Sequence, residues 1–261
     1  MADEQANERA FGRPSASRGA SAYPQIRFVA LVENGTHGLF GTRLAGYATG
    51  EVTLAQEVIG FLQKGMLGLA ERNFFGFARW HRARAPGADL LWRVKKNRRL
   101  RVEQRRPEGS YQRRIYAAER AGRPPTKGVV GRVIDYQLAG SAHAEPRYRL
   151  GTTSLDPAQG PAEEWAARYP ERGEIETALD ELKTHRRGAQ IVLRRQTPDW
   201  VRQEFYGRLL AHLAVRGLMP AAALAAGEDP ARLSFVPAGR VLRRKLPLSG
   251  AIPPADEAGV P

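Results

Sequence analysis

Five side chains carry the chemistry this sequence offers: a tyrosine, an arginine, two glutamates and a lysine. Four of them, Tyr169, Arg172, Glu176 and Lys183, lie in the segment YPERGEIETALDELK. At about 100° per residue, a helix over this segment sets Tyr169, Glu176 and Lys183 two turns apart on one stripe, with Arg172 one turn after the tyrosine. Ile175, Leu179 and Leu182 form the neighbouring apolar face. A carboxylate flanked by arginine and lysine suits a metal-bound phosphate, the carboxylate taking the cation while the bases grip the phosphate oxygens. A solvated helix carrying charges for solubility has the same spacing.

The fifth residue is Glu71, in MLGLAERNF. There a short apolar strand (Met66 to Ala70) ends on a carboxylate and a helix follows. Open α/β sheets place their ligands at the carboxyl ends of strands, so Glu71 is expected to share a metal with Glu176. An acid interacting with the dipole of the next helix is the alternative.

Positioning these residues requires strands and helices in alternation. Ile26 to Val32 (IRFVALV) is an apolar strand run, and Asn34-Gly35 signals a turn into a returning strand over Thr36 to Leu44. Helical spacing covers Glu51 to Leu62, with Gly65 as a stop, and a second helix covers Phe74 to Arg84. Leu90 to Lys95 is another strand. From Arg98 to Leu155 short apolar or period-two stretches, broken by Gly, Pro and charges, predict an antiparallel β insertion. Helix resumes from Pro161 to about Lys183 and again over Trp200 to Arg216, and Ser234 to Arg240 reads as a short strand. The expected segmentation is an irregular lead-in at 1–25, a first core part at 26–97 and the insertion at 98–155. A second core part at 156–216, a C-terminal segment at 217–250 and a disordered tail at 251–261 complete it.

The 261 residues carry a net charge of +14 and no cysteine, which excludes disulfides, thiol nucleophiles and cysteine zinc sites. No apolar run reaches the ~18 residues of a membrane span, and the first 20 residues lack a signal core. The expected location is therefore the cytoplasm, in association with the nucleoid. Residues 72–132 hold 18 basic and 4 acidic side chains, the whole net charge, while the remainder balances at 23 of each. A positive field concentrated on a neutral scaffold points to a polyanion such as nucleic acid. Lys95, Lys96, Arg98 and Arg99 are the candidate contacts. A merely solvated basic surface is the alternative. No phosphate-binding glycine loop, nucleophile elbow or histidine pair at metal spacing is present. The five histidines are scattered and read as surface or capping residues, and Phe74, Phe75, Phe77 and Trp80 as core.

Tyr169, Arg172, Glu176 and Lys183 match, without a gap, the tyrosine–arginine–glutamate–lysine signature of the insertion sequence 4 group of DDE transposases, and the chain resembles that family. Phe11 to Pro14, Pro24 to Arg27, Gly35 to His37, Leu69 to Phe74 and Leu182 to His185 add to the resemblance, which covers roughly residues 6 to 245. It implies a ribonuclease-H-like α/β fold, a mixed sheet with flanking helices interrupted by the β insertion. It also implies metal-dependent DNA cleavage and strand transfer with Mg2+, on double-stranded DNA from element ends and target, in a homodimeric synapsis. Glu71 and Glu176 correspond to the second and third catalytic, metal-binding carboxylates. Arg172 and Lys183 would contact phosphates, Tyr169 would position the backbone, and Tyr148, opening a strand of the insertion, would stack on an unpaired base.

Three departures shape the expectation. The family's first aspartate, in an Asp-Gly-Thr-like strand, lies upstream of the region around Asn7, so the chain is expected to be N-terminally truncated and inactive, without its first core strand. Glu71 replaces an aspartate, and Gly173 stands inside the helix where the family usually has tryptophan. The competing expectation is a DNA-binding remnant, or repurposed fragment, that acts without catalysis.

Overall fold

The computed structural model describes residues 1–16, 19–20, 23–96, 102–117, 128–137, 147–184 and 193–246. In chain order they form α1 (Gln5–Phe11), the two-residue strands β1 (Ser15–Ala16) and β2 (Gly19–Ala20), β3 (Ile26–Val32) and β4 (Leu39–Gly46). Then come α2 (Glu51–Val58) with a 3-10 turn at Ile59–Phe61, β5 (Leu67–Ala70), α3 (Phe77–Arg84) and β6 (Asp89–Arg93). The strands β7 (Gln104–Arg105), β8 (Tyr111–Tyr116), β9 (Gly128–Tyr136) and β10 (Tyr148–Thr152) follow. Helix α4 (Ala162–Arg168), a 3-10 segment at Tyr169–Gly173, α5 (Glu174–Thr184), α6 (Pro198–Ala226) and α7 (Phe235–Lys245) complete the described chain.

Two compact units are discontinuous in sequence: Ile26–Leu31 with Gly41–Gly173, and Met1–Gln25 with Val32–Phe40 and Glu174–Pro261. The larger is built on a six-stranded mixed sheet in the order β5-β6-β10-β9-β8-β7. Strands β5 and β6 are parallel, whereas β10 runs antiparallel to both β6 and β9, and β8 antiparallel to β9. The insertion is thus antiparallel, and its strands extend the core sheet. The fold is a mixed α/β sheet with flanking helices, as the resemblance implies.

Alternation along β6 explains why both faces are covered. Leu90 and Trp92, with Val94 beyond the strand end, join Ile59, Leu62, Phe75 and Trp80 in one core, while Leu91 joins Ile134, Leu150 and Tyr169 in another. A strand buried on both sides reads as a continuous apolar run because neither parity faces water. Trp80 is fully buried, with Phe75 and Trp92 edge-on at 5.4 Å each. Glycine provides the room beneath it: a Cβ at Gly131 would lie 3.4 Å from the Trp80 ring, and one at Gly151 would lie 3.1 Å from Phe75 and 3.4 Å from Trp80.

The smaller unit is helical. α6 buries Val201, Phe205, Leu209, His212, Val215, Met219 and Ala223, and packs on α1, α5 and α7. By length and composition alone α6 could cross a membrane, which the sequence reading did not allow for. Its apolar character continues through Pro220 to a left-handed Gly227 that accepts the helix end at φ 69°. Within this unit the hairpin tip 32–40 closes by Glu33 N–H donating to the Gly38 carbonyl (2.9 Å), and the Glu33 carboxylate accepts from the amides of Gly35 and Thr36.

Several local expectations change. The lead-in contains helix α1, because Asn7 is fully buried with its amide donating to the carbonyls of Ala2 and Arg195, and Phe11 is buried beside it. The segment read as a strand at Ser234 to Arg240 is the start of α7: Phe235, Ala238 and Leu242 recur at helical spacing against Val215 and Met219. His37 and His212 are not surface residues, since both lie against Glu181 at 3.4 Å and His212 is fully buried. His143, His185 and the tail at 251–261 lie outside the described residues.

Two outcomes follow. Gly151→Val crowds Phe75 and Trp80 and should cost about 1–3 kcal/mol in urea unfolding. Burial raises the Glu181 carboxyl, but hydrogen bonds from His212 and Arg216 and the charge of Arg216 outweigh it and hold it at about 2. Because this folded value lies below the ordinary 4.5, its stabilisation is complete above about pH 4.5 and is lost as pH falls towards 2. The urea midpoint should drop through that window, and Glu181→Gln should remove part of the slope.

Candidate active site

The parallel pairing of β5 with β6 brings their carboxyl ends to one end of the sheet, where Glu71 follows β5 and Arg93 ends β6. Antiparallel pairing brings the end of β9 and the start of β10 to the same place, with Tyr136 opposite Tyr148. Glu71, Arg93, Tyr136, Tyr148, Lys95 and Lys96 therefore share one rim.

The 3-10 segment Tyr169–Gly173 docks on that rim. The segment from Tyr169 to Lys183 is not one α-helix as the spacing suggested: Tyr169 and Arg172 lie in 3-10 geometry, and Glu176 and Lys183 in α5. Pro170 accounts for part of the break, having no N–H to donate. At three residues per turn, Tyr169 and Arg172 lie one above the other. Tyr169 is 7% exposed, packs in the Leu91–Ile134–Leu150 core, and its hydroxyl donates to the Ala70 carbonyl at 3.4 Å. Burial pushes the phenol up to about 12, against the opposing charge of Arg172, so it stays a neutral donor. Arg172 Nη1 pairs with Glu71 Oε1 at 3.2 Å, with 24% and 40% of the side chains exposed. Two of the candidate residues thus engage the end of the strand that carries the candidate carboxylate. An ion pair this exposed is worth only ~0–1 kcal/mol, so an incoming phosphate or cation can displace it at little cost.

Tyr148 stacks on Tyr136 with centroids 5.3 Å apart, and the Arg93 guanidinium lies 4.7 Å from the Tyr148 ring. Arg93 was not among the candidates. Its signal was its position at the end of a strand parallel to the one that ends at Glu71, which becomes meaningful only once the register is known. Lys95 and Lys96 are exposed beyond β6, and Arg98 and Arg99 lie outside the described residues.

Glu176 sits in the first turn of α5 and is exposed. Lys183 is in the same helix, its side chain outside the description. Glu71 belongs to the larger unit and Glu176 to the smaller. Among the described residues no group of three or more His, Asp or Glu is arranged to hold a metal ion. With Glu71 already paired to Arg172, the described donors within either unit do not by themselves fit a two-magnesium centre.

Part of the basic segment turns inward. Arg132 is fully buried, giving hydrogen bonds to the Gly160 carbonyl (2.6 Å), Ser110 (2.8 Å) and Glu108 (3.1 Å). Burial lowers its guanidinium, and Glu108 opposes the shift. Arg113 is also buried and donates to the Arg114 carbonyl. Both arginines are buried rather than facing a polyanion, and Arg132 ties β9 to Glu108, Ser110 and Gly160.

Gly173 is the last residue of the 3-10 segment, directly before α5, and a Cβ there would meet nothing within 4 Å. Gly173→Ala should therefore stabilise the chain by about 0.5–1 kcal/mol through the entropy of the unfolded state. Chemical denaturation of the variant measures this directly.

These features meet two comparisons with known proteins. The chain is 26% identical over 255 residues to "Transposase InsG for insertion sequence element IS4" of Escherichia coli (strain K12), covering 96% of this chain and 57% of that protein. It thus spans just over half the length of that relative. The family described as "Transposase DDE domain" matches residues 4–214, most of the chain, and to that family the chain belongs.

Proposed function

We propose that this chain is part of an insertion-sequence transposase, acting on double-stranded DNA by phosphoryl transfer: cleavage of a phosphodiester and transfer of the freed strand end. The observation that carries the reading is the docking of Tyr169 and Arg172 on the end of β5, at Glu71. In this reading Glu71 and Glu176 are the carboxylates that would hold magnesium, which would supply the Lewis acid for phosphoryl transfer. Arg172 would leave Glu71 for a DNA phosphate, and Lys183 would contact a phosphate as well. Tyr169 holds the 3-10 segment in place through Ala70. Tyr148, with Lys95 and Lys96 beside it and Arg98 and Arg99 following, belongs to the DNA-facing rim. The same reading proposes pairing of two copies during synapsis and a place at the nucleoid.

A second reading, DNA binding without catalysis by a remnant of such an enzyme, is favoured by the Glu71–Arg172 pair itself, in which the guanidinium already neutralises the carboxylate. One experiment separates the two. Duplex DNA is titrated at 50 and 200 mM salt, then incubated with Mg2+ or Mn2+ and assayed for nicks. Both readings expect affinity to fall steeply with salt, by 10-fold or more for as few as two to three phosphate contacts. Nicking that disappears in Glu176→Ala supports the enzyme. Salt-dependent binding with no Glu176-dependent nicking leaves the remnant, and salt-independent binding overturns both.

A further inference from the structure

We infer that His37, Glu181 and Arg216 are positioning residues for the helix that carries Glu176, fixing its rotation by pinning the face opposite that carboxylate. The inference rests on the reading in which Glu176 acts on DNA. All the groups involved belong to the smaller unit.

Helix α5 has 11 residues, too few for stability alone, and among its described side chains only Ala178 and Leu182 are buried, with Ile175 and Leu179 partly so. So small an apolar contact leaves the rotation about the helix axis weakly defined. Polar contacts supply the definition at both ends. At the first residue of α5, Glu174 Oε2 lies 2.9 Å from His37 Nε2. Two turns on, Glu181 accepts from Arg216 through both Nε (3.0 Å) and Nη2, with His212 Nε2 at 3.4 Å. Arg216 also closes the loop, its Nη2 lying 2.7 Å from His37 Nδ1. At about 100° per residue Glu174 and Glu181 are some 20° apart on the helix, and Glu176 lies roughly 160° round from Glu174. Pinning the first stripe at two heights therefore aims the second.

The backbone at His37 supports a role for its side chain. Its φ is +56°, the left-handed region that glycine adopts without strain, and among the described residues it alone of the non-glycines has a positive φ. Glycine would suit the turn better, so what holds an imidazole there is what the ring touches. The hydrogen bonds also assign its tautomer. An Arg216 N–H pointing at Nδ1 requires a lone pair there, leaving the proton on Nε2 to donate to Glu174. One ring accepts from α6 and donates to α5. Arg216 is itself held in place, with its guanidinium 5.1 Å from the Phe235 ring on α7.

Hydrogen exchange of the full chain, read peptide by peptide with the melting temperature alongside, tests this without relying on activity. In His37→Gly, amides over 174–184 should exchange about 10-fold faster or more, while peptides from β6, β10 and the first half of α6 keep wild-type rates and the melting temperature barely moves. His37→Gln should restore protection, because its amide both accepts and donates. Should His37→Gly fail to fold, Glu181→Gln is expected to loosen the same peptide selectively. Unchanged exchange over 174–184, a uniform rise in every peptide, or no recovery with glutamine each overturns the inference. The nicking assay reports separately on the functional reading. Wild-type protein without Glu176-dependent nicking removes that reading while the exchange result stands. If nicking is present, His37→Gly must lower kcat and leave KM for DNA unchanged.

Discussion

The larger unit depends on β6 being buried on both faces. Its odd and even residues feed two separate cores, one under Trp80 and one around Tyr169, so no position between Asp89 and Arg93, the charged residues at its two ends, can be polar. Parallel pairing on one side fixes β5, and antiparallel pairing on the other fixes β10, so a single strand sets the level of every residue on the rim. Glu71, Arg93 and Tyr148 are neighbours because of register.

Around that strand the protein uses polar residues sparingly but inside the fold. Arg132 is buried where a carbonyl, a hydroxyl and a carboxylate surround it, meeting the requirement that a buried charge be paired and hydrogen-bonded. Glu181 is the counterpart in the helical unit, a carboxylate held ionised by an arginine and by the hydrogen bond from His212. In contrast, the Glu71–Arg172 pair is half-exposed. The two inner networks maintain structure, while the outer pair is open to solvent and to exchange of partners. Charge density along the sequence does not separate these roles. Arg132 and Lys95 both count towards the same basic segment, one fully buried and the other exposed.

The sequence by itself determined the strand and helix order around Glu71 and the antiparallel character of the insertion, because apolar periodicity and turn residues are local properties of the chain. It also identified Phe75 and Trp80 as core, since large apolar side chains have few other places to go. Three kinds of feature were decided by tertiary structure alone. The continuous helix suggested from Tyr169 to Lys183 breaks into a 3-10 segment and an α-helix, because Tyr169 gains more from its core and the Ala70 carbonyl than from helical continuity. The strand suggested near Ser234 becomes helix, because a stripe at helical spacing can bury itself against α6. His37 and His212, 175 positions apart, acquire their shared carboxylate only when the chain folds, and no spacing along a sequence can announce a contact between side chains brought together from three different segments.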